Sequence, residues 1–334
     1  VTSSRAHAVR YKKAIDESSI DLTLSEHRDS TIKVGSKDMT LSIQDFGAQV
    51  LEPEMASLGE TFDSFINGLF LDIPNVAGPS ESAPAALPDS LADLAQVEKT
   101  LNDQLVPMRP RFKVASSEYK SVLMGVDSLV EADKRGDAGT ALRDAEMGRI
   151  MSMQSFMAQN VPTATHTSGT LTTAVVNGAV AEGSTTITVD GANEAAGTLK
   201  AGDIVTIGGY GNAVIAADAT LSSNAGSFTI VEPVRVGGID DNASVTLYDG
   251  GGNTRQNHGA VFHPDCIAWA MVPLALPSGA RDASIVTDPS TGIGLRVVFD
   301  YDMDLKSDVI SIDTLYGGVV ADGRLGAQIA KNIA

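Results

Sequence analysis

The sequence predicts an α+β protein whose body is interrupted by a small all-β module. Three observations carry that expectation. Between Gln44 and Phe70 apolar residues recur at every third or fourth position, the repeat of a helix with one buried face. From His166 to Gly250 only Lys200 and Arg235 are basic, against nine acids, and short β-branched runs alternate with Gly, Asn and Asp. Mixed α/β patterning then resumes, so the β-rich stretch reads as an insertion between two halves of one body. The expected parts are residues 1–43, 44–75, 76–165, 166–252 and 253–334.

The first part mixes charge with β-branched residues, as in Ser30–Val34 and Met39–Ile43, and predicts short extended pieces lying on the body or on a neighbouring copy. In the helix that follows, Phe46, Leu51, Met55, Leu58 and Phe62 form the expected core face, and Pro53 predicts a kink or break. Pro88-Asp-Ser90 offers an N-cap, Asp89 or Ser90, to a second helix with Leu91, Leu94, Val97, Leu101 and Leu105 as its apolar face. Arg109–Ala115 reads as a strand and Ser117–Met124 as a short helical piece, within a parallel strand–helix–strand arrangement. Inside the module, strands are expected at Thr185–Val189, Asp203–Ile207, Ser227–Val231 and Ser244–Tyr248. Beyond it, Asp265–Val272 is an apolar run ended by Pro273. Leu295–Tyr301 and Asp308–Tyr316 have hairpin spacing, with Ile310 and Ile312 on one apolar face.

The 334 residues include 24 basic and 42 acidic ones, a formal charge of −18, so the chain as a whole repels phosphate and anionic lipid. Its start is the exception: Arg5, Arg10, Lys12 and Lys13 all precede the first acid, Asp16, and read as a solvated or copy-contacting arm. Cys266 is the only cysteine, which excludes an intrachain disulfide and a Cys-based zinc site, and its apolar neighbours predict a buried structural thiol. The longest apolar run, Ile267–Pro277, is about half the ~20 residues of a membrane span. No secretion signal opens the sequence, and synthesis in a cytoplasm is expected.

Catalytic and metal patterns are not met. His258, His263 and Asp265 lie close in sequence but lack a further strong ligand at zinc spacing. Asp300, Asp302 and Asp304 could line one strand face, yet Leu305 and Ser311 stand where a calcium loop needs Gly and Glu, so they read as a solvated turn or a contact between copies. The glycine clusters at 208–211, 250–252 and 292–294 match no phosphate-binding loop, and there is no Gly-x-Ser-x-Gly elbow. No enzyme activity and no cofactor are expected.

The segment Ser36–Asp63 contains Leu41, Ile43, Asp45 and Phe46, then Pro53, Met55, Ala56 and Leu58. This phrase resembles the end of the extended loop and the spine helix in the coat proteins of tailed bacteriophages. Gly148–Pro162, Phe262–Leu274, and Gly294–Asp304 with Leu315-Tyr-Gly317 resemble later stretches of that family in the same order. The pattern is similar to that of coat proteins of short-tailed Salmonella phages, which carry an insertion domain.

The resemblance implies a Hong Kong 97-type capsid fold. Residues 1–43 would be the extended loop and peripheral strands, 44–75 the spine helix, 76–165 and 253–334 the axial and closing parts, and 166–252 the inserted β-domain. It implies a major capsid protein forming hexamers and pentamers of an icosahedral shell, with scaffolding, portal and decoration proteins as partners. DNA would be enclosed without specific binding, and no membrane would be involved. Expected assembly contacts are Arg5, Arg10, Lys12, Lys13, Lys33, Asp300, Asp302 and Asp304. Some members of the wider fold cross-link Lys to Asn; Lys12, Lys13, Lys33 and Asn332 have the right type without a matching local motif. The alternative is a surface or extracellular β-rich binding or adhesion protein, which a secretion signal or tandem β repeats would favour.

Overall fold

A computed structural model of the chain describes residues 19–35, 52–78, 86–131, 147–163, 165–171, 174–190, 197–222, 225–249, 251–287, 292–304 and 306–333. Strand β1, Glu26–Gly35, precedes helix α1, Glu52–Gly68, which a 3-10 turn continues over Leu69–Asp72. The described helix begins at Glu52, and the residues before it, on which the expected kink or break at Pro53 depends, lie outside the described residues. Phe46 and Leu51 lie outside the described residues.

Strand β2, Val76–Ala77, leads to α2, Leu91–Asp103, whose N-cap is Ser90: its Oγ accepts the Asp93 N–H at 3.1 Å. Leu94, Val97 and Leu101 are fully buried, but Leu91 is 48% and Leu105 89% exposed, correcting two expected core positions. Leu91 is the first helical residue, and Leu105 lies past the helix end with φ +58°, which takes it off the repeat. Strand β3, Phe112–Ala115, helices α3, Ser117–Met124, and α4, Asp127–Val130, and strands β4, Arg149–Ile150, and β5, Met153–Met157, follow. β3 and β5 run parallel, giving the expected strand–helix–strand unit. β3 starts later than the pattern suggested because buried Arg111 turns back to donate to Val106 O, Pro107 O and Asn102 Oδ1.

After β6, Thr165–Thr167, the described residues form nine short strands. They are β7 Thr170–Leu171, β8 Ala174–Val176, β9 Thr186–Asp190, β10 Gly197–Leu199, β11 Ile204–Ile207, β12 Gly211–Val214, β13 Ala219–Leu221, β14 Ala225–Thr229 and β15 Ser244–Leu247. They build a six-stranded sheet, β12-β11-β15-β8-β9-β14, and a three-stranded one, β13-β10-β7, around their own core of Val176, Ile187, Val205, Phe228 and Val245. Alternation is clear in β9, where Ile187 and Val189 point inward and Thr186 and Thr188 outward.

The rest is β16 Thr254–Phe262, β17 Ile267–Val272, β18 Asp282–Thr287, β19 Gly294–Asp302, β20 Ser307–Val320 and β21 Gly326–Ile333. Two sheets result. One, β2-β21-β16-β3-β5-β4 with β6 beside β16, is covered on one face by α2 and α3: Leu94, Leu101, Tyr119 and Leu123 pack against Ala115, Met153, Val261 and Ile329. Gly259, at a bulge of β16, has φ +141°, and a Cβ there would sit 2.1 Å from Val114 O.

The other sheet, β1-β20-β19-β18 with β17 on β20, carries α1: Leu58 and Phe62 pack on Ile310, Ile312 and Tyr316. Met55, expected in that core, is 42% exposed. It belongs to the first turn, which meets the sheet's rim by a polar bond, Ser30 Oγ donating to Glu54. Leu69, Phe70, Ile73, Ala260, Cys266 and Val320 join the two sheets. Burial pushes the Cys266 thiol up to about 12, so at neutral pH it is an inert core residue.

Candidate functional site

The β1-β20-β19 ladder brings one pair of the expected contact residues into a single row. Lys33 and Asp300 both stand opposite Val309, on either side of β20, and both are exposed. Asp302 follows on β19 and Asp304 lies in the turn to β20. The backbone organises these carboxylates: Tyr301 N–H donates to Asp300 Oδ1 at 2.8 Å, and Asp304 N–H to Asp302 Oδ1 at 2.9 Å. Beside them a groove is lined by Arg281, Asp282, Phe299, Asp300, Asp308 and Ile310, with Arg281 3.4 Å from Asp308. An exposed pair of this kind contributes little in one copy. Arg5, Arg10, Lys12 and Lys13 lie outside the described residues.

Four residues further along the β19–β20 ladder is a pairing that the sequence pattern did not reveal. Arg296 grips Asp313 with both Nε and Nη2, the first bond being 2.8 Å, and Asp313 is 3% exposed. These bonds raise the guanidinium above its ordinary range. Asp29, also opposite Asp313, accepts from Ser311 Oγ at 2.6 Å. Seventeen residues separate Arg296 from Asp313, and only the hairpin register joins them.

β18 ends this sheet among the described strands, and its consecutive Ile285 and Val286 are 44% and 59% exposed. Neighbouring strand residues point to opposite faces, so both sides of this edge are apolar while its outer N–H and C=O groups face no described strand. A second apolar projection is the loop after α2, where Leu105 and Met108, 89% and 61% exposed, are held out by the bonds that Arg111 makes to Val106 and Pro107.

The nine-strand unit is seated on the body by buried charges. His166 Nε2 lies 2.7 Å from Asp203 Oδ1, and Asp203 also accepts N–H groups of Lys200 and Gly169. Burial alone would raise the Asp203 carboxyl, but these bonds together hold it below its usual range. Arg255 pairs with Asp249 at 2.6 Å and donates to Gly202 O at 2.9 Å. An apolar patch completes the seat, Ile204 and Val214 meeting Val76 and Ala330.

His258 is buried with Nδ1 3.3 Å from Ser116 Oγ, whereas His263 accepts the Asp265 N–H at 3.3 Å. Among the described residues no group of three or more His, Cys, Asp or Glu could hold a metal ion, and no helix is long and apolar enough to cross a membrane.

No protein-family model matches the chain, and neither does any curated protein. Among solved structures it is similar to a chain of Mycobacterium phage Che8, with 16% identity and a TM-score of 0.50 over 96% of this chain and 75% of that one. It also aligns with the capsid structure of the cyanophage P-SCSP1u at 9% identity and TM-score 0.46, over 96% of this chain and 79% of that one. For the mature capsid of bacteriophage PhiM1 the values are 10% and 0.44, over 98% and 78%. The likeness to the Che8 chain shows a shared fold.

Proposed function

We propose that this chain is a structural subunit that self-assembles into the icosahedral capsid of a tailed phage, of Hong Kong 97 type with an inserted β-domain. The observation that carries the reading is the fold shared with the phage Che8 chain over 96% of the sequence. Support comes from the places where the family-like segments fall. The spine-helix phrase runs into α1, Gly148–Pro162 covers β4 and β5, Phe262–Leu274 covers β17, and the closing phrases lie on β19 and β20.

In this reading α1 and its sheet form the peripheral domain, and the sheet under α2 and α3 forms the axial domain. Residues 166–252 are the insertion and 1–43 the extended loop with its strand β1. The apolar β18 edge and the row of Lys33 and Asp300 are surfaces for neighbouring copies in hexamers and pentamers. Scaffolding, portal and decoration proteins are the expected partners. The subunit is made in the bacterial cytoplasm and ends in the virion, and its acidic balance suits a container that holds DNA without gripping it.

Electron microscopy of the purified full chain tests this. Closed shells or rings of capsomers are expected; a monodisperse monomer at high concentration overturns the reading.

A further inference from the structure

β18, Asp282–Thr287, ends its sheet among the described strands and differs from the strand at the other end. β1 carries Glu26, His27, Arg28, Asp29 and Lys33, charges of the kind that keep an edge from pairing with another chain. β18 has no charge after Asp282, and Ser284, Ile285 and Val286 are all exposed. Ile285 stands beside Arg296 on the face away from α1, and Val286 beside Leu295 on the face that α1 covers. A strand laid along this edge would cover an apolar side chain on each face and take up the outer N–H and C=O groups.

The strand that matches this edge is β18 of a second copy. Against β1 of another copy, Ile285 and Val286 would meet charged side chains, whereas against its own like the uncharged stretch Ala283–Thr287 meets another. Symmetry then limits the register. A two-fold axis perpendicular to the sheet keeps each face on its own side, so opposed residues must point the same way. Centring on Ile285 sets Ile285 on its own copy, Val286 opposite Ser284 and Thr287 opposite Ala283. Centring on Ser284 would put Val286 opposite Asp282, and centring on Val286 would leave only Ile285–Thr287 of the strand paired.

We propose that β18 is a self-complementary edge: two copies pair their β18 strands antiparallel about a two-fold axis at Ile285, joining two five-stranded sheets into one continuous sheet with both α1 helices on the same side. The inference rests on the shell reading for its setting. A two-fold pair cannot propagate round a ring of five or six, so in the shell it would link a copy in one hexamer or pentamer to a copy in the next.

Mild oxidation of purified full chains carrying engineered cysteines tests the pairing. Cys266, the only native thiol, is buried, so wild type is the blank. Ile285→Cys is expected to give a disulfide-linked dimer on a non-reducing gel, because opposed residues of a ladder hold their Cβ atoms about 4.5 to 5.5 Å apart. Ser284→Cys with Val286→Cys should do the same through the next pair along. Val286→Cys alone should run as a monomer, since two residues, roughly 7 Å along the strand, separate it from its own copy. All three positions are exposed, so the variants should fold as wild type does. A dimer from Ile285→Cys or from the double variant, with none from Val286→Cys, supports the pairing. No dimer from either, or one as abundant from Val286→Cys, overturns it. Dimers without shells by electron microscopy would keep the pairing and sink the shell reading; shells without the cross-link would do the reverse.

Discussion

The ring of Phe62 meets that of Tyr316 edge-on, with centroids 5.1 Å apart and planes inclined at 77°. Trp269 stands 6.0 Å from Phe62 and 5.4 Å from Tyr316, so one helical side chain fastens α1 to both β17 and β20. Phe62→Ala removes the ring from a site that is 7% exposed and should cost about 3 to 5 kcal/mol, and Leu58→Ala about 2 to 5. Met55→Ala, at an exposed position, should stay within about 0.5 kcal/mol. Denaturant unfolding of the three variants checks the order, and equal losses at Met55 and Phe62 would remove the contact from its assigned place.

Lys113 predicts a stabilising substitution. Burial pushes its ammonium down to about 8, from 10.5 in the unfolded chain. Below pH 8 both states are protonated and the folded one carries the whole penalty, up to about 3 kcal/mol by the pKa difference. Between pH 8 and 10.5 the folded chain sheds its proton first, and the penalty fades. Lys113→Met should therefore be more stable than wild type at pH 7, with the gap closing toward pH 10.5. Unfolding curves at the two pH values measure it.

The seat of the nine-strand unit should loosen in acid. Asp203 has a folded pKa below the 3.8 of an ordinary carboxyl, so its contribution is complete above that value and is lost as pH falls through the folded pKa. Asp203→Asn should reproduce the acid effect at neutral pH. Hydrogen exchange is expected to rise first at the Gly169 and Lys200 amides, which Asp203 holds, while the amides of α2 keep their protection.

In the proposed shell, substitutions at the β18 edge should separate assembly from folding. Ile285→Lys or Val286→Lys changes an exposed residue and should shift stability by no more than about 0.5 kcal/mol. A charge on an edge strand opposes pairing with another chain, so light scattering should show loss of large particles. Intact shells from both variants would assign this edge to solvent.

Much of the local structure was legible in the sequence because its cause is local. Ser90 caps α2 as its position before an apolar repeat predicts, α3 has the predicted bounds, and the four strands expected in the β-rich stretch are present within two residues. What escaped depends on register and topology. Arg296 meets Asp313 only through the β19–β20 ladder, and nothing near Ile285 in the sequence says that its strand ends a sheet. Lys113 alternates with Phe112 and Val114 as a solvent-facing lysine of a strand would; helices packed from elsewhere in the chain bury it. Of the expected contact residues, Lys33 and Asp300 come together because β1 and β19 flank the same strand, a relation spanning 267 positions, 300 minus 33.

Where the chain leaves for the nine-strand unit and where it returns are neighbours: His166 on β6 stands opposite Arg255 on β16. Removing everything between them would leave two antiparallel strands that a tight turn could join. The body's strand order would be unchanged, because none of β7 to β15 belongs to either of its sheets. The unit is therefore an exchangeable part: any domain whose own ends lie about one strand spacing apart, some 5 Å, could be spliced in at this port, and the gene could lengthen or shorten here without redrawing the rest of the protein.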